Sequence, residues 1–176
     1  MNSLVINFMK HYTLTSFQNF ELGLDEVFEF FSRPENLERI TPRDLNFKII
    51  TPSPINMEEG QEIDYKISIS GFPVKWKTLI TKYDPPNFFI DSQIKGPYSM
   101  WIHSHSFTFN NGVTTVKDVV KYLPPLHIIG GIANRLYIRR MLIKIFTFRF
   151  YAISDIFNDR FPSSIVQNDK PKIEIV

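Results

Sequence analysis

The residues best suited to chemistry lie in the segment 101–107, which reads WIHSHSF. Its tryptophan and two histidines, Trp101, His103 and His105, stand at every second position. Successive side chains of a β-strand point to opposite faces, so this spacing predicts one strand face that carries both imidazoles. An imidazole titrates near neutral pH and can act as a general base, a hydrogen-bond donor to a ligand or a metal ligand.

An acidic partner for these histidines is predicted on the next strand, TTVKDVVKYL. Its two lysines mark the solvent face, which puts Asp118 on the inward face. The intervening NNG is a hairpin signal. A two-residue loop at positions 110 and 111 sets His103 opposite Asp118, whereas a four-residue loop sets His105 there. Either register predicts a charge-assisted hydrogen bond between a histidine and Asp118.

Several roles remain open for this group. The pair can be a satisfied polar contact inside an apolar lining, which is the interpretation we favour. It can also orient a bound molecule, or perform acid–base catalysis with His103 or His105 oriented by Asp118. Two histidines two positions apart could chelate an ion together with Asp118, but no further metal-binding motif is present. We therefore predict no metal site.

The composition excludes several classes of function. Zero cysteines rule out disulfides, thiolate metal sites and a cysteine nucleophile. GxGxxG, Walker and HExxH motifs are absent, so we predict no cofactor. A formal charge of +2 is too small to indicate a nucleic-acid partner. The 17 Phe, 7 Tyr and 2 Trp make the chain unusually aromatic, which indicates an interior built from large flat side chains.

The sequence predicts one α+β domain over residues 1–160, which would position these residues, and a C-terminal tail over residues 161–176. A first strand over 10–20 precedes LDEVFEFFSRPENLERITP, whose helical spacing and Pro34 predict two short helices. Turn-forming residues then separate six predicted strands, at about 45–50, 61–70, 73–83, 88–95, 98–109 and 113–123. A long helix is predicted from about residue 127 to about residue 158.

Short turns between these strands predict a seven-stranded antiparallel sheet. Only the long helix is large enough to cover its apolar face, so we expect the sheet to curve around that helix and to leave a cavity. The predicted ligand-binding residues of this cavity are Tyr65, Trp76, Trp101, His103, His105, Phe107, Asp118, Tyr122 and Phe146.

The strand FFIDSQIK gives an ambiguous pattern. Apolar alternation places Phe88, Ile90 and Ile94 inward, and therefore Asp91 and Gln93 outward. A bulge close to the following glycine would reverse the two faces and bring the polar pair to the cavity mouth. Without it, the pair would make hydrogen bonds at an edge or a loop.

The most apolar stretch, 127–157, is long enough to cross a bilayer, but basic residues interrupt it throughout. We therefore predict no transmembrane segment. The N-terminus lacks the features of a signal peptide, which favours a cytoplasmic protein. Basic residues from Arg135 to Lys144 lie among apolar neighbours and could make a weak contact with an anionic membrane surface. A solvated outer face of the helix is the alternative.

Three phrases of the sequence resemble a known family. FSRPENLERITPRDLNFKI, the run from Glu59 to Phe109, and KDVVKYLPP are similar to bacterial members of the START-like superfamily, and Pro85 to Phe107 is the most specific part of the resemblance. This superfamily is also called SRPBCC, and the branch includes polyketide cyclase/dehydrase-like proteins. The resemblance covers about residues 10–155. It implies the helix-grip fold, in which an antiparallel sheet wraps around a long C-terminal helix with a hydrophobic cavity between them.

The resemblance also implies small apolar ligands such as lipids, sterols, quinones or polyketides, but a shared fold does not transfer a reaction. We therefore expect binding or transport of a small hydrophobic molecule without covalent chemistry. The alternative is a cyclase or dehydratase type of enzyme that uses a cavity histidine oriented by Asp118. The sequence leaves the oligomeric state open.

Overall fold

The computed structural model describes residues 11–125, 137–160 and 171–176. It begins with strand β1 (Tyr12–Phe20), helix α1 (Leu24–Phe31) and two 3₁₀ helices (Pro34–Glu38 and Arg43–Leu45). Six strands follow: β2 (Lys48–Ile49), β3 (Glu62–Ile69), β4 (Phe72–Asp84), β5 (Phe88–Lys95), β6 (Met100–Asn110) and β7 (Val113–Leu123). Helix α2 (Arg139–Arg160) and strand β8 (Lys172–Ile175) come last. The part of the predicted long helix before residue 137 lies outside the described residues.

The strands form one antiparallel sheet in the order β2-β3-β4-β5-β6-β7-β1-β8. The predicted α+β architecture, with the helix-grip arrangement of a sheet and a long C-terminal helix, is confirmed. The strand count is corrected from seven to eight, because Lys172–Ile175 of the predicted tail pairs with β1. Ile175 is buried in this pairing and lies opposite Leu14. The IEIV end of the tail alternates as an edge strand would, but the sequence does not identify the strand with which it pairs, and the structure shows that this strand is β1.

Helix α1 and the first 3₁₀ helix confirm the two predicted short helices. Acidic residues in the first turn of α1 stabilise the helix, because their negative charges lie at the positive end of its dipole. The Glu26 carboxylate also accepts a hydrogen bond from the Gly23 N–H at 3.1 Å. Val27 and Phe28 turn inward at helical spacing. Pro34 begins the 3₁₀ helix, where its fixed φ and missing N–H cost nothing.

Two groups of buried aromatic side chains fill the space between the sheet and the helices. A phenylalanine cluster at one end comprises Phe20, Phe28, Phe30, Phe89, Phe107 and Phe157. A mixed aromatic cluster at the other end comprises Trp76, Tyr98, Trp101, Tyr122 and Phe146. Gln18 fixes β1 to helix α2, because its Nε2 donates to the Phe150 carbonyl at 2.9 Å and to Ser154 Oγ at 3.0 Å. The predicted aromatic interior therefore has two parts.

The turn between β6 and β7 sets the register of the candidate site. Asn111 and Gly112 have φ values of 49° and 82°, as a two-residue hairpin turn with positive φ at both positions requires. Asn110 pairs with Val113, and this register places His105 opposite Asp118. The loop is one position later than the two-residue loop that the sequence suggested. The strands consequently adopt the register that was predicted for the longer loop.

Candidate functional site

A cavity of about 170 Å³ lies between the sheet and helix α2. Strands β3 to β6 and helix α2 contribute its walls, together with the segment around the 3₁₀ helices. The lining is mainly apolar, and its larger rings include Phe47, Tyr65, Trp76, Tyr98, Trp101 and Phe146. Trp76 stands at the centre of this aromatic wall, because its ring is stacked on Tyr65 and meets Trp101 edge to face.

The nine predicted ligand-binding residues separate into two groups. Six of them line the cavity: Tyr65, Trp76, Trp101, His103, His105 and Phe146. The other three, Phe107, Asp118 and Tyr122, are buried but are not among the lining residues. Phe107 packs in the phenylalanine cluster, and Tyr122 stacks on Tyr12 with ring centroids 5.6 Å apart. Asp118 contacts both histidines from behind the cavity wall.

Asp91, His103, His105 and Asp118 form one cluster, which we call the Asp–His cluster. Asp118 Oδ1 lies 3.2 Å from His103 Nε2 and 2.7 Å from His105 Nδ1. Asp91 Oδ2 lies 3.1 Å from His105 Nε2 and 3.7 Å from His103 Nδ1. The 3.2 Å and 3.1 Å contacts are hydrogen bonds. The 2.7 Å contact lacks the alignment of a hydrogen bond and acts electrostatically.

Burial and the two carboxylates act differently on the two imidazoles. Burial, followed by the adjacent His105 ring, lowers the pKa of His103 and favours its neutral form. Burial also opposes charge on His105, but the Asp118 and Asp91 carboxylates together outweigh it and raise the pKa of His105. Burial alone would raise the pKa of Asp118, yet the His105 and His103 rings hold it far below its usual value. Asp118 is therefore ionised behind the histidines.

Asp91 lies inward, so of the two alternatives for strand β5 the one with a bulge near the glycine applies to Asp91, and the register irregularity falls at Ile94. Phe89 is buried and Ile94 is exposed, and Phe89 and Asp91 are the residues of β5 that line the cavity. Asp91 pairs with His103 across β5 and β6, which places both side chains on one face. Alternation failed here because both faces of β5 carry apolar residues. Gln93 instead bonds to the loop after the strand, through the backbone N–H and carbonyl of Tyr98.

Two further polar groups line the cavity. The Tyr65 hydroxyl lies 3.0 Å from Thr78 Oγ1, and burial raises the pKa of Tyr65 so that it stays neutral. Arg149 of helix α2 also lines the cavity, with its guanidinium 5.1 Å from the centre of the Phe146 ring. Arg149 is one of the basic residues that interrupt the apolar stretch 127–157. Its spacing of three from Phe146 and four from Ile153 is the signal that places it on the inward face.

The basic segment from Arg135 to Lys144 is only partly within the described residues. Arg139 and Arg140 are exposed, and Lys144 forms an exposed salt bridge with Asp44 at 2.7 Å. The described residues contain no helix with the length and apolar character needed to cross a bilayer. Weak contact with an anionic membrane surface and a cytoplasmic location both stay predictions.

Solved structures share this architecture, although the sequence matches no protein-family model and no curated protein. Protein Ms6760 from Mycobacterium smegmatis is 15% identical, with a TM-score of 0.62 over 84% of this chain and 92% of its own. TTHA0849 from Thermus thermophilus is 11% identical, with a TM-score of 0.68 over 85% and 99%. Major latex-like protein 151 from Panax ginseng is 13% identical, with a TM-score of 0.59 over 82% and 96%.

Identities this low establish the fold alone. The chain has the helix-grip fold, which is the fold that the sequence resemblance implied. The match extends over more than nine tenths of each of these three structures. What the cavity holds must be argued from its own side chains.

Proposed function

We propose that the chain binds a compact hydrophobic molecule in the cavity between the sheet and helix α2, without covalent chemistry. The observation that carries this proposal is the volume of about 170 Å³ with mainly apolar and aromatic walls. Apolar atoms that line an empty cavity make few van der Waals contacts on that side, and a bound ligand would supply these contacts. Binding without conversion is also what a carrier requires.

The volume favours a ligand of one or two rings. An apolar cavity of about 150 Å³ holds benzene, whereas pockets for drug-sized molecules measure about 300–1,000 Å³. Among lipids, quinones, sterols and polyketides, a quinone ring or a small aromatic polyketide suits this volume best. A sterol or a long acyl chain would require the walls to move. The aromatic rings around Trp76 offer flat surfaces on which a planar ligand can stack.

The expected affinity is moderate. A ligand of this size loses about 250 Å² of apolar surface, which contributes about 6 kcal/mol at about 25 cal/mol per Å². The loss of translational and rotational freedom offsets part of this gain. Polar contacts with Tyr65, Arg149 or the Asp–His cluster must add to it. We expect dissociation constants from the micromolar to the sub-millimolar range.

Native mass spectrometry of gently purified protein tests the proposal, with a pair of matched variants. Ile67 of β3 lines the cavity, so Ile67→Trp should fill part of the ligand volume. Ile90 of β5 is also half-buried but is not a lining residue, and Ile90→Trp serves as the control. We expect a bound small molecule in the wild type and in the control, and none in Ile67→Trp. Equal occupancy in both variants would contradict binding in this cavity.

A cyclase or dehydratase type of enzyme is the second candidate. The observation in its favour is that His103 lines the cavity, bonds to Asp118 and favours the neutral form that can accept a proton. Incubation of the recovered ligand with fresh protein, followed by liquid chromatography and mass spectrometry, distinguishes the two candidates. Loss of water changes the mass, and ring closure without loss of water changes only the retention time. Loss of water or ring closure in the wild type, abolished in His103→Gln with binding retained, would support catalysis. An unchanged ligand would support binding alone.

A further inference from the structure

The Asp–His cluster has fewer hydrogen-bond donors than its contacts demand. Four imidazole nitrogens face carboxylate oxygens at 2.7–3.7 Å. Two neutral imidazoles provide only two N–H donors, while the two aspartates provide two negative charges when ionised. Lone pairs of ring nitrogens would then face an anionic oxygen. Further positive charge is needed among these atoms, and either protons or a metal ion can provide it.

The contacts of Asp118 indicate where that charge is needed. Asp118 Oδ1 accepts a hydrogen bond from His103 Nε2 and lies 2.7 Å from His105 Nδ1. In the metal-free cluster His105 Nε2 donates to Asp91 Oδ2. If the His105 proton is instead on Nδ1, which lies next to Asp118 Oδ1, the free lone pairs are on His103 Nδ1 and His105 Nε2. These two atoms are the ones that face Asp91 Oδ2. A carboxylate that holds the far nitrogen of a histidine is the usual outer partner of a metal-binding imidazole.

We propose that Asp91, His103 and His105 form a three-ligand site for a divalent first-row transition-metal ion such as Zn²⁺, with Asp118 as the orienting carboxylate. Metal–ligand distances of about 2.0–2.2 Å in tetrahedral geometry place neighbouring ligand atoms about 3.3 Å apart. Asp91 Oδ2 lies 3.1 Å and 3.7 Å from the two nitrogens, so the two Asp91 contacts are within a few tenths of an ångström of this spacing. Candidate ligand atoms of these three residues all lie within 4.8 Å of one another.

The donor set and the surroundings define the kind of ion. Two imidazole nitrogens and one carboxylate suit Zn²⁺ or Fe²⁺, whereas Mg²⁺ and Ca²⁺ prefer oxygen ligands alone. Each of the three residues lines the cavity, so the remaining coordination positions would face the cavity. Water or an oxygen atom of a bound molecule could occupy them.

The sequence analysis considered a different ligand set, His103, His105 and Asp118, and predicted no metal site. The site proposed here contains Asp91 in place of Asp118. The sequence pattern offered Asp118 as the third ligand, because alternation along β5 turned Asp91 outward. In the structure Asp91 faces the histidines, and Asp118 lies behind them. The pairing of β5 with β6 therefore creates the site.

Titration of chelator-treated protein with Zn²⁺ and Co²⁺ tests the proposal. We expect one bound Zn²⁺ by calorimetry, a visible Co²⁺ spectrum of low coordination number, and a higher melting temperature with the ion. Asp118→Asn should weaken Zn²⁺ binding about 10- to 100-fold. Asp91→Asn should weaken it more, because it removes a charged ligand. His11→Asn and His127→Asn remove histidines from other parts of the sequence and should leave the affinity unchanged.

Circular dichroism of each variant confirms that it is folded before binding is compared. If the folded wild type takes up neither ion, the cluster is a metal-free polar network and the proposal is wrong. The proposal is also wrong if Asp91→Asn and Asp118→Asn both bind Zn²⁺ as tightly as the wild type. Since these titrations contain no hydrophobic molecule, their failure leaves the proposed ligand binding untouched, and the converse also holds.

Discussion

Replacement of Asp118 by asparagine should destabilise the protein more than any other change of a single charge in its interior. The side chain is only 10% exposed and lies within 3.2 Å of a nitrogen of each histidine. Asparagine keeps the shape and can still accept one hydrogen bond, but it removes the charge. His105 then loses the closer of its two carboxylate partners.

The size of the loss follows from opposing contributions. Opposite charges about 3 Å apart attract by about 5 kcal/mol at an effective dielectric constant of about 20. The asparagine side chain recovers part of the cost of burying a carboxylate, and His105 can release its proton instead of remaining unpaired. We therefore expect the free energy of unfolding to fall by about 2–4 kcal/mol, towards the lower end of the range for broken buried pairs. For a domain of this size, a loss of about 3 kcal/mol lowers the melting temperature by about 6–12 °C.

Urea denaturation at neutral pH in the presence of a chelator measures this loss without any contribution from metal. Asp155 is exposed on helix α2, and Asp155→Asn is the control, with an expected change within about 0.5 kcal/mol. A loss below about 1 kcal/mol for Asp118→Asn, equal to that of the control, would show that the carboxylate does not compensate the buried histidines. The electrostatic description of the cluster would then be refuted.

Three further predictions concern other parts of the fold. Phe157 packs against Phe20 with ring centroids 4.9 Å apart, and Phe157→Ala should lower the free energy of unfolding by about 3–5 kcal/mol in urea denaturation. Burial would raise the pKa of Glu35, but hydrogen bonds from backbone N–H groups outweigh it and lower the pKa. The contribution of Glu35 to stability is therefore present above its ordinary pKa and lost as the pH falls below it, so the stability difference from Glu35→Gln should shrink in acid. Ile175→Asp should detach β8 from β1. The Thr13 amide donates to the Val176 carbonyl, so its hydrogen exchange should become faster in this variant. Unchanged protection of the Thr13 amide would show that β8 remains paired.

Local patterns predicted the elements well where one face is apolar and the other polar. In β7 the lysines mark the solvent face so clearly that the inward position of Asp118 follows from them. Pro34 predicted the start of the second short helix because its backbone suits only that position. The alternation of Trp101, His103 and His105 likewise predicted a strand with both histidines inward, and both are buried in β6.

Features that depend on strand pairing could not be predicted in the same way. Ile90 and Phe89 are both apolar, so the sequence of β5 does not distinguish its two faces. Alternation alone placed Asp91 outward, and only a bulge near the following glycine was expected to bring it inward. Register shifts between β4 and β5 leave Thr81 and Ile94 without a paired residue on the other strand. The sequence indicated a bulge only close to Gly96, near Ile94, and gave no signal for Thr81. Strand β8 exists through its hydrogen bonds to β1, which lies more than a hundred residues earlier in the chain. The cavity volume depends on all of these pairings at once.

Methyl NMR of isoleucine residues locates ligand binding within the fold, with 1-naphthol as a two-ring probe. Ile63, Ile67 and Ile145 line the cavity, whereas Ile90 and Ile102 are not among its lining residues. We expect saturable shifts of the methyl signals of the three lining isoleucines and little change in the signals of Ile90 and Ile102. Shifts spread equally over both groups, or no saturable shift at all, would contradict a ligand-binding cavity between the sheet and helix α2.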